Sequence, residues 1–349
     1  MMPSAFINKE TRHSLKAIGV SIVMVLLIAG CSKTPNAPYE LAIPSWFPEM
    51  EIPEENQLTH ARVELGRKLF YEPLLSSDSS VSCSSCHLQE KAFSDFTAQS
   101  SGVNGIVGTR NAPTLANIGY STSFFHDGGV PTLELQSQSP IFSADEMNFT
   151  IAGFLARIEN NQEYKLMFQE AYNRAPDAFG ISRAIACFER TLISGNSRFD
   201  QYEYQDKKDA LTEQEIRGKD LFFSSETECS SCHVPPLFTD YSFQNIGLYT
   251  TYIDSGRAKI SRLTEDRGKF KTPTLRNIEL TAPYMHNGSL VTLEEAVEHF
   301  NAGGVGHPNQ NPMVKPLGLS EQDKADLVSF LKTLTDHDFV SNAAFSNPN

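Results

Sequence analysis

Cys83-Ser84-Ser85-Cys86-His87 and Cys229-Ser230-Ser231-Cys232-His233 repeat one pattern: two thiols separated by two residues and followed at once by an imidazole. At that spacing both thiols can add to the vinyl groups of one porphyrin while the adjacent His turns under the iron as an axial ligand. The chain is therefore expected to carry two covalent c-type haems, one held by Cys83, Cys86 and His87, the other by Cys229, Cys232 and His233. Four thiolates could instead enclose one zinc ion. A His directly after each pair is superfluous there, and the pairs lie far apart for a compact zinc ribbon.

Helices must deliver these stretches to the cofactor. Ala61, Leu65 and Leu69 fall on one face of a helix expected from about Thr59 to Tyr71, which leads into the first pattern. Thr212 and Glu215 form a capping box that opens a helix reaching Leu221-Phe222 and the second pattern. Helical periodicity also covers Ile151 to Tyr172 and Ser182 to Ile193, and a polar segment from Ser197 to Ala210 separates the halves. Ser320 and Asp323 cap a last helix that carries Leu327, Phe330, Leu331 and Leu334. The polar tail beyond Asp338 is expected to fray.

The halves are copies of each other. Arg110-Asn111-Ala112-Pro113-Thr114-Leu115-Ala116-Asn117-Ile118 aligns with Phe270-Lys271-Thr272-Pro273-Thr274-Leu275-Arg276-Asn277-Ile278. Without a gap, Phe125-His126-Asp127-Gly128 then meets Met285-His286-Asn287-Gly288, and Thr132-Leu133-Glu134 meets Thr292-Leu293-Glu294. Two haem-binding units were fused. The expected fold is all-α, with two cytochrome c-like domains over residues 57–204 and 205–340, each with one covalent haem, and a tail at 341–349.

A chain of 349 residues that is 40% apolar can bury two cores. Its formal charge of −13 makes nucleic acid an unsuitable partner and favours a basic redox protein. Lys9, Arg12 and Lys16 precede a largely apolar run of 13 residues, Ala17 to Ala29, which reads as an export signal too short to anchor the chain. Leu27-Ile28-Ala29-Gly30-Cys31 resembles the bacterial lipoprotein box, implying a signal peptide at residues 1–30 and acylation of Cys31; ordinary cleavage with Cys31 left free is the other reading. Loss of that signal, with its three cations and one anion, takes the charge from −13 to −15. Residues 31–56 are proline-rich and include Trp46, which suits a tether from the lipid anchor. With Ser32 after the acylated residue, the expected location is a periplasm-facing outer-membrane lipoprotein, in contact with the membrane through the lipid alone. Of 6 cysteines, Cys187 remains, and its apolar surroundings predict a buried, unreactive thiol.

Whether two haems transport electrons or catalyse depends on an acid-base group above one iron. Gln136, Pro140 and Asp145-Glu146-Met147 follow the first copy. With these residues the chain resembles the bacterial dihaem cytochrome c peroxidase and MauG family, from Leu65-Gly66-Arg67-Lys68-Leu69-Phe70 to Leu331-Lys332-Thr333-Leu334. The resemblance implies that Gln136, Pro140 and Glu146 form the distal pocket of the N-terminal haem, with Glu146 as the acid-base catalyst and Gln136 orienting peroxide. It implies electron entry at the C-terminal haem from a small cytochrome c or cupredoxin, reduction of hydrogen peroxide to water at the N-terminal haem, and allows a homodimer. It also implies a calcium ion between the domains, on the Asn111 side chain and the carbonyls of Thr281 and Pro283.

Three positions depart from the family's pattern. Val103 stands where many members carry a His that blocks the N-terminal iron, so the first haem is expected to have an open or water-bound position without activation. His126 stands where a Trp helps electrons cross between haems. Phe300 stands where peroxidases carry an axial Met and MauG a Tyr, which leaves Met313, Met285, His299, His307, or no protein ligand, for the C-terminal haem. The alternatives to a peroxidase are a MauG-like oxidase acting on a partner protein and a plain dihaem electron carrier.

Overall fold

A computed structural model describes residues 36–348 of the chain. In each half, the helix that enters the Cys-x-x-Cys-His stretch crosses the helix that closes the half, and a glycine sets how near they come. His60–Phe70 meets Ala178–Arg190 at Gly66, where a Cβ would overlap the carbonyl oxygen of Ala184. Glu213–Phe222 meets Glu321–Lys332 at Gly218, where a Cβ would overlap that of Asp326. The internal repeat is thus a repeat of packing.

The entry helices begin where the sequence marks them. The Thr59 hydroxyl accepts from Arg62 N, and the Thr212–Glu215 and Ser320–Asp323 capping boxes are both formed. One expected helix is two: Ile151–Ile158 and Gln162–Tyr172 are separated because the Asn161 side chain accepts from Glu163 N and Tyr164 N and starts a new helix. The polar segment between the halves holds a helix of its own: a Ser197–Asp200 capping box opens Arg198–Tyr204.

The first core packs Leu65, Leu69, Phe154, Phe168, Ile181 and Ile185, and the second packs Phe199, Phe222, Phe238, Leu327, Phe330 and Leu334. Each such side chain, once buried, contributes on the order of 1.5–3 kcal/mol. Phe199 joins the second core although it precedes the expected border at 204/205. The architecture is helical, with one strip of sheet in which Phe243 pairs antiparallel with Lys271 and Gln244 with Phe270.

Both ends of the described chain depart from expectation. Tyr39 N donates to Leu58 O, Phe47 and Met50 are buried, and Asn56 is fully enclosed, so residues 38–56 are packed on the body and not a free tether. The tail does not fray: His337–Ser341 is helical, and Phe339 and Phe345 pack with Phe70 and Phe93 of the first half. Apolar surface decides both cases, because Trp46, Phe47, Phe339 and Phe345 gain more from burial than the polar residues between them lose. The expected signal peptide and the expected acylation site, Cys31, lie outside the described residues. Among the described residues no helix is long and apolar enough to cross a membrane.

Candidate active site

Each Cys-x-x-Cys-His stretch opens with a single helical turn, and its His folds back on that turn: His87 N donates to Cys83 O at 3.0 Å and His233 N to Cys229 O at 3.1 Å. Nδ1 of His87 lies 2.8 Å from the Phe93 carbonyl oxygen, and Nδ1 of His233 lies 3.1 Å from that of Phe238. A carbonyl can only accept, so Nδ1 carries the proton in both rings and Nε2 keeps a lone pair for a metal. Burial lowers both imidazole pKa values and so keeps those lone pairs unprotonated. Cys83, Cys86, Cys229 and Cys232 form no disulfide.

A single cavity of about 620 Å³ joins the two motifs. Cys86, His87, Cys229, Cys232 and His233 line it, between apolar walls that include Leu115, Phe124, Leu293, Val297 and Leu331. Cys83 is packed against the first core and is not among the residues that line the cavity. Free thiols, imidazoles whose Nε2 lone pair is available to a metal, and an apolar enclosure together fit two c-type haems.

Gln136 and Glu146 both reach this cavity. Gln136 ends the short helix Leu133–Gln136, opened by the Thr132 hydroxyl accepting from Leu135 N. Met147 is buried in the first core, with its N–H on Pro140 O at 3.1 Å and its carbonyl on Ser77 N at 2.9 Å. Anchoring Met147 turns its neighbour Glu146 towards the cavity. From the other side Val103 N donates to Glu146 O at 2.8 Å, and Gly102 lies so close that a Cβ there would overlap the carbonyl oxygens of Asp145 and Glu146. Val103 itself is fully buried in the first core. Surrounding protein, and then the charge of Asp145, raise the pKa of Glu146 above the ordinary carboxylate value.

The interface between halves is built from equivalent positions of the repeat. Asn111 N donates to His286 O at 2.8 Å, and its counterpart Lys271 N donates to His126 O at 2.7 Å. His126 Nε2 lies 2.8 Å from Asn111 O, and burial holds its pKa down at about 4, so the ring is a neutral donor. Phe270 stacks on His286 with ring centroids 3.8 Å apart.

Two cations here were not singled out from sequence. Arg110 pairs with Asp127 and Asp254, and Lys271 Nζ donates to Ser121 Oγ and Ser123 O, with its pKa lowered to about 8 by burial. Both line the cavity, where they suit the carboxylates of haem. The aligned repeat held the signal, a cation beside an otherwise uncharged Pro-Thr-Leu run in each copy.

Asn111, Thr281 and Pro283 line the same cavity. Asn111 Nδ2 donates to the carbonyls of Thr97 and Ala98 at 3.1 and 3.2 Å, which leaves Oδ1 as the hard donor a calcium ion would need. Around the second motif, Phe300, Met285 and Met313 line the cavity, whereas His299 and His307 do not. His299 Nε2 is engaged with Ile246 O, and His307 Nδ1 with Asn245 Nδ2 and Asn309 N.

A family model described as di-haem cytochrome c peroxidase matches residues 60–209, and one described as cytochrome c matches residues 215–335. The chain is 36% identical to a methylamine utilization protein MauG of Methylorubrum extorquens, over 81% of this chain and 80% of that protein. It is 33% identical to a cytochrome-c peroxidase of Denitromonas iodatirespirans, over 90% of this chain and 93% of that one. Among solved structures, it is similar to a MauG-like protein associated with microbial copper homeostasis, with a TM-score of 0.84 and 35% identity over 89% of this chain and 99% of the other.

Proposed function

The chain belongs to the di-haem cytochrome c peroxidase and MauG family, and from that premise we propose that it reduces hydrogen peroxide to water with electrons from a small periplasmic redox protein. The observation that carries this reading is the convergence of Glu146 and Gln136 on the cavity that also receives His87. When bound through Cys83, Cys86 and His87 and through Cys229, Cys232 and His233, two haems supply the two electrons that peroxide cleavage consumes.

The chain's own residues handle the protons. The Gln136 amide orients peroxide. The Glu146 carboxylate accepts a proton from one peroxide oxygen and returns it to the other, so that water departs in place of hydroxide. A raised pKa suits both roles, because the group must be basic enough to take the proton and acidic enough to release it. Val103 favours an open first site without prior reduction, since its side chain is committed to the core while its N–H steadies Glu146. Asn111, Thr281 and Pro283 remain the proposed calcium donors.

Two variants test supporting parts. Gly102→Ala would push the Asp145–Glu146 backbone outward; displacement of a catalytic group by about 1 Å is expected to lower turnover on the order of 10²-fold. Steady-state peroxide assays check this, with haem spectra unchanged. Met313 is the proposed axial ligand of the second haem, because it lines the cavity and the neighbouring histidines are engaged elsewhere. Met313→Leu is expected to remove the methionine-to-iron charge-transfer band and lower that haem's reduction potential, measured by spectroelectrochemistry.

A second reading, oxidation of residues on a partner protein, is favoured by Val103 in place of the blocking His, by the lack of Met at position 300 and by the likeness to MauG, whereas Phe300 in place of Tyr and His126 in place of Trp count against it. A long-lived oxidised protein after one equivalent of peroxide, with slow turnover of small donors, would support it over the first.

A further inference from the structure

Trp46 is the chain's single tryptophan, and the function described above does not use it. Its ring stacks on Tyr204, with centroids 5.3 Å apart and planes 13° from parallel. Tyr204 lies 6.0 Å from Phe199, and Phe199 lies 5.1 Å from Phe238. The carbonyl of Phe238 holds Nδ1 of His233, the ligand of the second haem. A chain of ring contacts therefore runs from Trp46 to Phe238, whose backbone carbonyl holds the imidazole of His233.

We propose that Trp46, stacked on Tyr204, is a one-electron oxidation site connected to the second haem, through which an oxidising equivalent leaves the haem pair. The inference rests on the peroxidase reading, which supplies the oxidant.

The chemistry of the site favours Trp46 over other oxidisable residues. An indole can be oxidised while keeping its N–H, whereas a phenol must lose its proton to stay oxidised. Two tyrosines of the haem cavity have no base to take that proton: Tyr252 donates to Asn245 Oδ1 and Tyr284 to Ile278 O, both neutral acceptors. Nε1 of Trp46 is buried without a partner, so the N–H stays in place. The stacked Tyr204 ring offers its π face to the resulting cation. Asp336 and Asp338 line a cavity of about 390 Å³ beside Trp46, and no Lys or Arg lines it, while the nearby Arg276 guanidinium is paired with Asp200.

The first electron leaves without bond cleavage at the indole. Peroxide takes two electrons; with no donor present, one comes from the haems and one passes from Trp46 to the oxidised second haem. A reductant in solvent returns one electron to the indole cation; with none present, the equivalent still held by the haems takes a second electron from the indole and water adds to the ring, so that one peroxide leaves one oxygen on Trp46 and two protons are released.

The test uses the full chain with both haems attached. The ferric protein is mixed with equimolar hydrogen peroxide without donor, frozen within milliseconds for high-field EPR, and a parallel sample is digested for mass spectrometry. The expected result is a tryptophan radical in the native chain, with oxygen gained on the Trp46 peptide. Trp46→Phe should lose this signal. Tyr204→Leu, which keeps the indole, should lose most of it. If peroxide is consumed but no tryptophan radical forms and Trp46 stays unmodified, or if Tyr204→Leu leaves the signal intact, the inference is overturned while the peroxidase reading stands. If peroxide is not consumed by the haem-loaded protein, both fall.

Discussion

Glu146→Gln is expected to lower peroxide turnover on the order of 10²–10⁴-fold, the range in which positioned acid-base groups act, while both haems remain attached. The amide keeps the shape of the side chain but cannot accept a proton from peroxide. Its surroundings tolerate the change, because the backbone at this position is held by Val103 N and by buried Met147, not by the carboxylate. Haem content and spectra of the variant should match those of the native protein. Glutamine also removes a titration. Since burial and Asp145 raise the Glu146 pKa, the base form is lost as pH falls through a value above the ordinary carboxylate range. Native kcat/KM for peroxide should fall on that acid limb, and the residual activity of Glu146→Gln should not. Retention of full activity by the variant would remove Glu146 from the mechanism.

The second large effect is on stability. Asp200 and Arg276 are both fully buried, with Nη1 and Nη2 of Arg276 each 2.8 Å from a carboxylate oxygen of Asp200. Asp200 also closes the capping box with Ser197, and Arg276 Nε donates to Pro236 O at 2.7 Å, a few residues after His233. The pair thus ties the first helix of the second core to the loop that follows His233. Asp200→Ala strands a buried guanidinium and is expected to destabilise the protein by about 3–5 kcal/mol. Asp200→Ala combined with Arg276→Met should recover part of that loss, because no unpaired charge remains. Chemical denaturation of the haem-loaded proteins measures both; a single variant within about 0.5 kcal/mol of native, the range of ordinary surface substitutions, would contradict this assignment.

Much of this site could be read from residue order because its signals are local. The haem stretches need only fixed spacing, and the helix starts need only a hydroxyl or amide followed by a free N–H, as Thr59, Thr212 and Ser320 supply. The repeat located the interface positions, since equivalent residues of two like folds meet there: Asn111 and Lys271 donate to His286 and His126 in turn. What escaped the sequence depends on distant partners. Phe339 and Phe345 look like polar-tail residues until Phe93 of the other half covers them, and Trp46 looks like part of a tether until Tyr204 stacks beneath it. Lys271 reads as a surface cation, yet it is drawn into the cavity by Ser121 and Ser123 from far along the chain. Asn161 was legible in principle, since Asn before Gln-Glu is an ordinary start signal, but the apolar faces on either side of it, Ile151 to Ile158 and Tyr164 to Tyr172, read as one helix.

The most direct test of peroxide reduction is the steady-state rate of hydrogen peroxide consumption by the as-isolated ferric protein, with haem staining to verify both cofactors and a reduced small cytochrome c as donor. Turnover from the first seconds, with no lag and no prior reduction, is expected from Glu146 facing the cavity and Val103 folded into the core. Absence of turnover with both haems attached, before and after partial reduction, would contradict it.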